Sequence, residues 1–484
     1  MEVRLCPFGH DRTRANESRR VQRLRFLAMT PDPSIFKAYD IRGLVGDQID
    51  EPLAYEIGRA FARVIADREG TSPSELTLGL GHDMRNEAPA LAEAYAAGMA
   101  AEGATVLHSG QIATEQLYHL VGSRDLAGGL MCTASHNPAE YTGAKLVGRG
   151  ALPLSGDSGI GEIRDLVTSG LGEAPGGGIV ENVEVGADFA EKVCSFVDVD
   201  AIKGLKIVVD GGNGMAGPMV GPILEALDIE VVPAYWTPDG NFPDHEPNPL
   251  LEENRQFIMN AVVEHQADLG IAWDGDADRC FFIDERGEFV DGDFLTALMA
   301  ERILLDNPGS TILYDVRASR AVADTVEANG GTALVNRVGH AFFKARMREI
   351  PEAVFGGEVS GHYYFRNFWC ADSGTIPALL MLDLLARGDE PLSKLIDAYR
   401  SRYFISGEVN STVSDAQARI SEIEEKYSDA EIGHLDGITV DFEDWHFSLR
   451  SSNTEPLLRL CLESLVSEED MVAKRDEILS IIRA

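Results

Sequence analysis

The chain has 484 residues, too many for one hydrophobic core, with 44% hydrophobic residues, the composition of a globular protein of about three or four domains. A formal net charge of −37 argues against nucleic acid or an acidic membrane surface as a partner. No apolar run approaches the ~18 residues of a membrane span, and neither a membrane nor an obligate protein partner is expected.

Residues 1–28 differ from the rest of the chain, carrying seven arginines against three acids although all 484 residues include only nine lysines. They lack the apolar core and cleavage site of a secretory signal. They read as a basic tail or as an extension that is not native, with Met29 opening a clean acidic sequence just before the run Phe36-Lys37-Ala38-Tyr39-Asp40-Ile41-Arg42-Gly43. The six cysteines are scattered without a C-x-x-C pair, which favours reduced thiols and a cytoplasmic location over disulfides or a zinc site.

A strand is predicted over 76–80, a helix over 87–101 and a second strand over 105–108. The strand Gly128–Cys132 then runs into Thr133-Ala134-Ser135-His136-Asn137-Pro138. Proline donates no backbone hydrogen bond and biases its predecessor away from helix, so Ser135 is expected in a tight loop at a strand end. Tyr141-Thr142-Gly143-Ala144-Lys145 comes next, with a lysine able to neutralise phosphoryl charge or to move a proton. The glycine- and proline-rich stretch 170–178 reads as a linker.

The strand–helix–strand pattern returns over 205–209, 217–227 and 230–232, with Asp210-Gly211-Gly212-Asn213-Gly214 as a structural turn. The apolar strand Leu269–Trp273 then leads into Asp274-Gly275-Asp276-Ala277-Asp278-Arg279. Alternate aspartates in a turn offer hard oxygen ligands suited to Mg²⁺. An EF-hand is excluded, because Arg279 stands where its loop needs glycine and 280–283 reads as a strand. A third repeat covers 311–314, 320–329 and 333–335. Beside it stand Asp315-Val316-Arg317, Val338-Gly339-His340 and the glycine-rich loop Gly356-Gly357-Glu358-Val359-Ser360-Gly361-His362. Glutamate and serine on such a loop can bind vicinal hydroxyls.

Beyond about residue 402 the texture changes. Strands are predicted over 437–442, 445–449 and 457–462 and an amphipathic helix over 467–482, with Arg450-Ser451-Ser452-Asn453-Thr454-Glu455-Pro456 between two strands as an anion nest. Alternating strands and helices imply mixed sheets covered on both faces. The expected fold is α/β: three similar α/β domains with mixed sheets plus a smaller α+β C-terminal domain, around a central cleft. The boundaries drawn are 1–28 (the extension), 29–180, 181–288, 289–401 and 402–484, with a hinge near 395–405.

The serine loop, the aspartate loop, the Glu-Val-Ser-Gly-His loop and the Arg450 loop, in this order, resemble those of the α-D-phosphohexomutases, the phosphomannomutase and phosphoglucomutase family. The resemblance runs from about Phe36 to Arg459. It implies that Ser135 carries a phosphoryl group and that Asp274, Asp276 and Asp278 bind Mg²⁺, with the serine phosphate completing the shell and Arg279 contacting it. Lys145, His362 and Arg42 are the candidate acid/base groups, left undivided. Glu358, Ser360 and His362 would read the sugar ring, while Arg450, Ser452, Asn453 and Thr454 would grip the phosphate that is not transferred. Tyr39, Arg317 and His340 are secondary contacts. Thr142 departs from the family's usual asparagine.

The implied reaction moves phosphate between O6 and O1 of an α-hexose through a hexose 1,6-bisphosphate. Thr114-Glu115, where many relatives have Thr-Pro, and Glu358-Val359-Ser360 look like the mannose-preferring branch, with glucose second and glucosamine third. A metal-dependent sugar phosphate phosphohydrolase would use the same serine and acids but let water take the phosphoryl group. A non-catalytic sensor fits less well, since the serine and all three aspartates are present.

Overall fold

The computed structural model describes residues 31–156, 158–451 and 457–484. The chain falls into two compact units. The first holds residues 31–112, 120–134 and 139–184, and the second holds 113–119, 135–138 and 185–484.

The first unit is a seven-stranded sheet with helices. Its strands are β1 (Ile41–Leu44), β2 (Thr77–His82), β3 (Thr105–Gln111), β4 (Gly128–Cys132), β5 (Tyr141–Gly148), β6 (Leu152–Pro153) and β7 (Ile179–Asn182), in the order β1-β5-β4-β2-β3-β7 with β6 beside β5. Helix α1 (Glu51–Glu69) begins where the Asp50 carboxylate accepts the Leu53 N–H at 2.8 Å, and it ends at Gly70 in the left-handed region. It packs on α2 (Ala88–Ala101) with the backbones almost touching. A Cβ on Gly58 would lie 2.3 Å from the Tyr95 carbonyl oxygen, and one on Gly98 would lie 2.1 Å from that of Tyr55. Helix α3 (Thr114–Ser123) comes after β3, and α4 (Ile160–Ser169) after β6. The stretch read as a linker leads into β7, which closes this sheet against β3.

The second unit begins with α5 (Gly186–Cys194) and contains three further sheets. One joins β8 (Lys203–Asp210), β9 (Asp228–Ala234), β10 (Leu269–Trp273) and β11 (Cys280–Asp284) in the order β11-β10-β8-β9, with α6 (Ala216–Leu224) and α7 (Glu252–His265). The next joins β12 (Thr311–Asp315), β13 (Thr332–Asn336), β14 (Ala353–Gly357), β15 (Tyr363–Phe365) and β16 (Ala371–Asp372) in the order β13-β12-β14-β15-β16. Its helices are α8 (Gly292–Asp306), α9 (Arg320–Ala328), α10 (His340–Glu349), α11 (Thr375–Arg387) and α12 (Leu392–Arg400). The last sheet is antiparallel throughout, ordered β17-β21-β20-β19-β18. It consists of β17 (Phe404–Thr412), β18 (Glu431–Gly433), β19 (Ile438–Asp441), β20 (Trp445–Ser451) and β21 (Leu457–Ser464), with α13 (Ala416–Lys426) and α14 (Glu468–Ile482).

The three α/β sheets repeat one plan. In each, three parallel strands are followed by an antiparallel hairpin partner: β2, β3 and β4 then β5; β8, β9 and β10 then β11; β12, β13 and β14 then β15. The strand order reverses between the first and third members, which opens a crevice at their carboxyl ends, where ligands of such sheets bind. Ser135 lies just beyond β4, Asp274 beyond β10 and Glu358 beyond β14.

The structure narrows one expectation. The segment proposed as a hinge, 395–405, lies mostly inside α12 and the start of β17. Leu392, Ser393 and Ile396 of α12 are buried, and Ser393 donates its hydroxyl to Glu285, so only residues 401–403 connect the two elements. A helix with a buried face does not bend without breaking its packing, so within 395–405 a hinge would be confined to 401–403.

No helix is long and apolar enough to cross a membrane among the described residues. Cys132, Cys194, Cys280, Cys370 and Cys461 are free thiols, and burial pushes Cys132 and Cys461 up, as small apolar core residues rather than nucleophiles.

Candidate active site

Strand β4 delivers the chain into a loop whose serine adopts the left-handed region, with φ of 51° at Ser135. A non-glycine residue there is uncommon and marks a conformation imposed by its surroundings. The Ser135 hydroxyl donates to Asp274 Oδ2 at 3.1 Å, and its Oγ lies 3.4 Å from His136 Nδ1. Ser135 is 3% exposed.

Strand β10 is buried at every position and ends at the aspartate turn, which closes with the Ala277 N–H donating to the Asp274 carbonyl at 3.0 Å. The loop is braced by the Asp210–Gly214 turn, because the Met215 N–H donates to the Gly275 carbonyl at 2.9 Å. Asp274, Asp276 and Asp278 are buried, and one carboxylate oxygen from each lies within 4.8 Å of the others. Arg279 Nε donates to Asp274 Oδ2 at 2.8 Å and its backbone N–H to Asp274 Oδ1 at 3.2 Å. Burial works against that guanidinium's charge, yet Asp274 and Asp278 outweigh it and hold the pKa up. Three buried carboxylates converging on one point offer the hard oxygen donors that a divalent cation prefers. The donor set therefore fits a metal ion.

A second group, Asp278, His362 and Asp372, has ligand atoms equally close. There, however, Lys344 Nζ sits 2.7 Å from Asp372 Oδ1 with both side chains buried, so an ammonium already answers that carboxylate. The first group is the better cation site.

The loop after β14 carries Glu358, Ser360 and His362. Gly339 N–H donates to Glu358 Oε1 at 2.7 Å and the Tyr364 hydroxyl donates to Oε2, with Glu358 1% exposed. Burial, reinforced by Asp315, lifts its carboxyl to about 7. Ser360 Oγ pairs with His362 Nδ1 at 3.0 Å, and His362 Nε2 lies 3.9 Å from Asp278 Oδ1, so this loop borders the aspartate loop. The His340 ring faces that of His362 with centroids 6.3 Å apart.

Arg317, after β12, donates through Nε and Nη2 to Asp315 and through Nη1 to Glu408 at 3.3 Å. Arg459 Nη1 donates to the other Glu408 oxygen at 3.0 Å, and Arg450 Nη2 lies 3.9 Å from Glu408. Burial and the neighbouring Arg317 lower the Arg450 pKa, with Glu408 and Asp436 acting in the opposite direction. Ser452, Asn453 and Thr454, expected to bind phosphate, lie outside the described residues, as do residues 1–28.

The second unit thus brings together Ser135, Asp274, Asp276, Asp278, Arg279, His340, Glu358, Ser360 and His362, and in it Arg317 meets Arg450. The remaining expected residues stand in the first unit. Arg42, on β1, donates to the carbonyl of Ala134, the residue before Ser135, at 2.8 Å and pairs with Asp40 at 2.7 Å. Lys145 is buried on β5 opposite Met131, and Tyr39 is partly buried just before β1. Sequence reasoning missed Arg459, Glu408 and Lys344, which belong to no motif. It quoted Thr114 without a role, although Thr114 Oγ1 donates to Asp276 Oδ2 at 2.5 Å.

Among known proteins, residues 33–171 match phosphoglucomutase/phosphomannomutase alpha/beta/alpha domain I, 187–287 match domain II, 291–403 match domain III and 408–480 match the C-terminal domain. The chain is 43% identical over 451 residues to a protein of Xanthomonas campestris named phosphohexose mutases, covering 93% of this chain and 99% of that one. It is 39% identical over 458 residues to the phosphomannomutase of Escherichia coli K12, covering 92% and 98%. A solved phosphoglucomutase/phosphomannomutase family protein from Burkholderia thailandensis superposes with a TM-score of 0.85 at 32% identity, covering 93% of this chain and 97% of that one. Four matched domains in sequence order, with a serine held against a buried carboxylate triad, make this chain a member of the phosphoglucomutase/phosphomannomutase family, the phosphohexomutases.

Proposed function

We propose that this chain interconverts mannose 6-phosphate and mannose 1-phosphate, a phosphomannomutase reaction. The observation that carries the reading is the Ser135 hydroxyl held 3.1 Å from Asp274 in a loop of three buried carboxylates. In the proposed cycle Ser135 starts phosphorylated. The free hydroxyl of the sugar attacks phosphorus, the new O–P bond forms as the P–Oγ bond breaks, and the hydroxyl proton passes to a base. The product is hexose 1,6-bisphosphate, which turns over so that its other phosphoryl group returns to Ser135 Oγ and the serine regains its place in the cycle.

Asp274, Asp276 and Asp278, with the serine phosphate, are the proposed ligands of Mg²⁺. When bound, that ion offsets charge on the transferring phosphoryl group. Arg279 holds Asp274 in place for this role. Lys145, His362 and Arg42 are the candidate proton carriers, Glu358, Ser360 and His362 the proposed ring contacts, and Tyr39, Arg317 and His340 secondary contacts. Arg450, Ser452, Asn453 and Thr454 are proposed to hold the phosphate that stays on the sugar. The divisions 29–180, 181–288, 289–401 and 402–484 would give each motif its own domain, and a cytoplasmic location belongs to the same reading.

Mannose is favoured by Thr114-Glu115, by the Glu358-Val359-Ser360 sequence, and by the name of the Escherichia coli relative. Coupled assays on mannose, glucose and glucosamine phosphates test the choice. Faster turnover of glucose phosphate would make the chain a phosphoglucomutase, and release of inorganic phosphate without isomer would make it a phosphohydrolase.

A further inference from the structure

The metal loop is held from two sides by residues that belong to none of the four loop motifs. On one side stands the first turn of α3. Thr114 donates its backbone N–H to the Asp276 carbonyl at 3.2 Å and its hydroxyl to Asp276 Oδ2 at 2.5 Å, so a single residue holds both ends of one aspartate. On the other side lies the segment between β16 and α11. Trp273 Nε1 donates to the Gly374 carbonyl at 3.0 Å, and a Cβ on Gly374 would lie 2.5 Å from the Ala277 carbonyl oxygen. Glu115 joins the two sides. Its carboxyl accepts the Thr375 N–H at 3.1 Å, the Thr375 hydroxyl at 2.7 Å and the Ser373 hydroxyl. Thr114, Glu115, Ser373 and Thr375 are all buried.

We propose that Thr114 and Glu115 are positioning residues of the metal site: Thr114 orients the Asp276 carboxylate, and Glu115 clasps residues 373–375 so that the loop is closed before a cation arrives. The inference rests on the reading of the aspartate loop as a Mg²⁺ site. Carboxylates behind a metal are themselves oriented by hydrogen bonds, and losing such a partner lowers metal affinity about 10–100-fold. Holding the loop closed in advance also removes the ordering cost from the binding step. A glutamate suits the clasp because two oxygens can serve three donors at once, and burial lifts its carboxyl to about 8, so that it adds little charge beside the triad.

The test is calorimetric titration of the metal-stripped, full-length protein with MgCl₂ in the absence of sugar phosphate. Thr114→Val keeps the shape and removes the hydroxyl, and should weaken Mg²⁺ binding about 10–100-fold, while Thr114→Ser should restore it to within a few-fold. Glu115→Gln, which retains the acceptor, should bind close to wild type, and Glu115→Ala should bind about tenfold more weakly. If Glu115→Ala does not fold, Ser373→Ala removes one bond of the clasp and should show the same direction. Wild-type Mg²⁺ affinity in Thr114→Val, with wild-type protein binding the ion, overturns the inference and leaves the metal reading standing. Failure of wild-type protein to bind Mg²⁺ overturns both.

Discussion

Two charged regions of the second unit invite comparison. Around the aspartate loop three carboxylates lie beside one guanidinium, and around Glu408 three guanidiniums, those of Arg317, Arg450 and Arg459, lie beside the carboxylates of Glu408, Asp315 and Glu358. The first gathers carboxylates and the second gathers guanidiniums, although the chain as a whole carries −37. Gathered carboxylates suit a cation, and gathered guanidiniums suit an anion. A third region shows the alternative. Lys344 and Asp372 pair at 2.7 Å with an ammonium over the Tyr118 ring at 4.0 Å, and there the charges cancel without a ligand. The local grouping of charges, not the net charge, distinguishes these regions.

The largest effect is expected at Ser135, the proposed phosphoryl carrier. Ser135→Ala should take up no phosphate from hexose 1,6-bisphosphate by intact mass, and turnover should fall by on the order of a thousandfold or more. Full turnover in that variant would remove the serine from the mechanism.

Asp372→Asn tests the balanced pair. Leaving Lys344 buried without its carboxylate should cost about 3–5 kcal/mol in denaturant unfolding. A loss under about 1 kcal/mol would mean the pair is not the closed unit described.

Arg450→Ala should raise the KM for hexose phosphate about ten- to a hundredfold, the worth of one charge-assisted hydrogen bond, with a smaller change in kcat. An unchanged KM would show that the arginine group does not hold the substrate.

Asp276→Asn sharpens the contrast further. Neutralising one of three crowded carboxylates should raise the melting temperature of the metal-free protein by a few degrees, about 1 kcal/mol, while abolishing the gain that Mg²⁺ gives to wild type. Destabilisation of the metal-free variant would contradict the reading that the three carboxylates repel one another.

The smallest effect concerns pH. Burial raises the Glu115 carboxyl from 4.5 to about 8, so the folded state holds its proton where the unfolded state has lost it. Its contribution is most favourable below about pH 4.5 and declines as pH rises towards 8. Glu115→Gln should therefore show a flatter fall in melting temperature between about pH 5 and 8 than wild type, and parallel curves would refute the assignment.

Much of this was legible in the linear chain. The strands Gly128–Cys132 and Leu269–Trp273 were marked by short apolar runs ending in turn chemistry, and the serine and aspartate loops stood at their ends. Proline at 138 and alternating aspartates at 274, 276 and 278 are local signals, carried by neighbouring residues. Strand β1 was not read, because four residues with a glycine give no periodicity and gain their place only by pairing with β5. The helix inside 395–405 was missed for a similar reason, since a polar helix of nine residues looks like a linker until its buried face is known.

Local order in the chain decided which residues stand at strand ends and which loops carry carboxylates, hydroxyls or arginines. Backbone sterics and apolar patterning act over a few residues, and those distances are written in the sequence. Which charges meet was decided only by the tertiary structure. Thr114 reaches Asp276 across 162 positions, Glu115 reaches Thr375 across 260, and Glu408 gathers arginines from positions 317, 450 and 459. Such contacts leave no periodicity and no motif, because the free energy of a buried charge depends on what the fold places beside it.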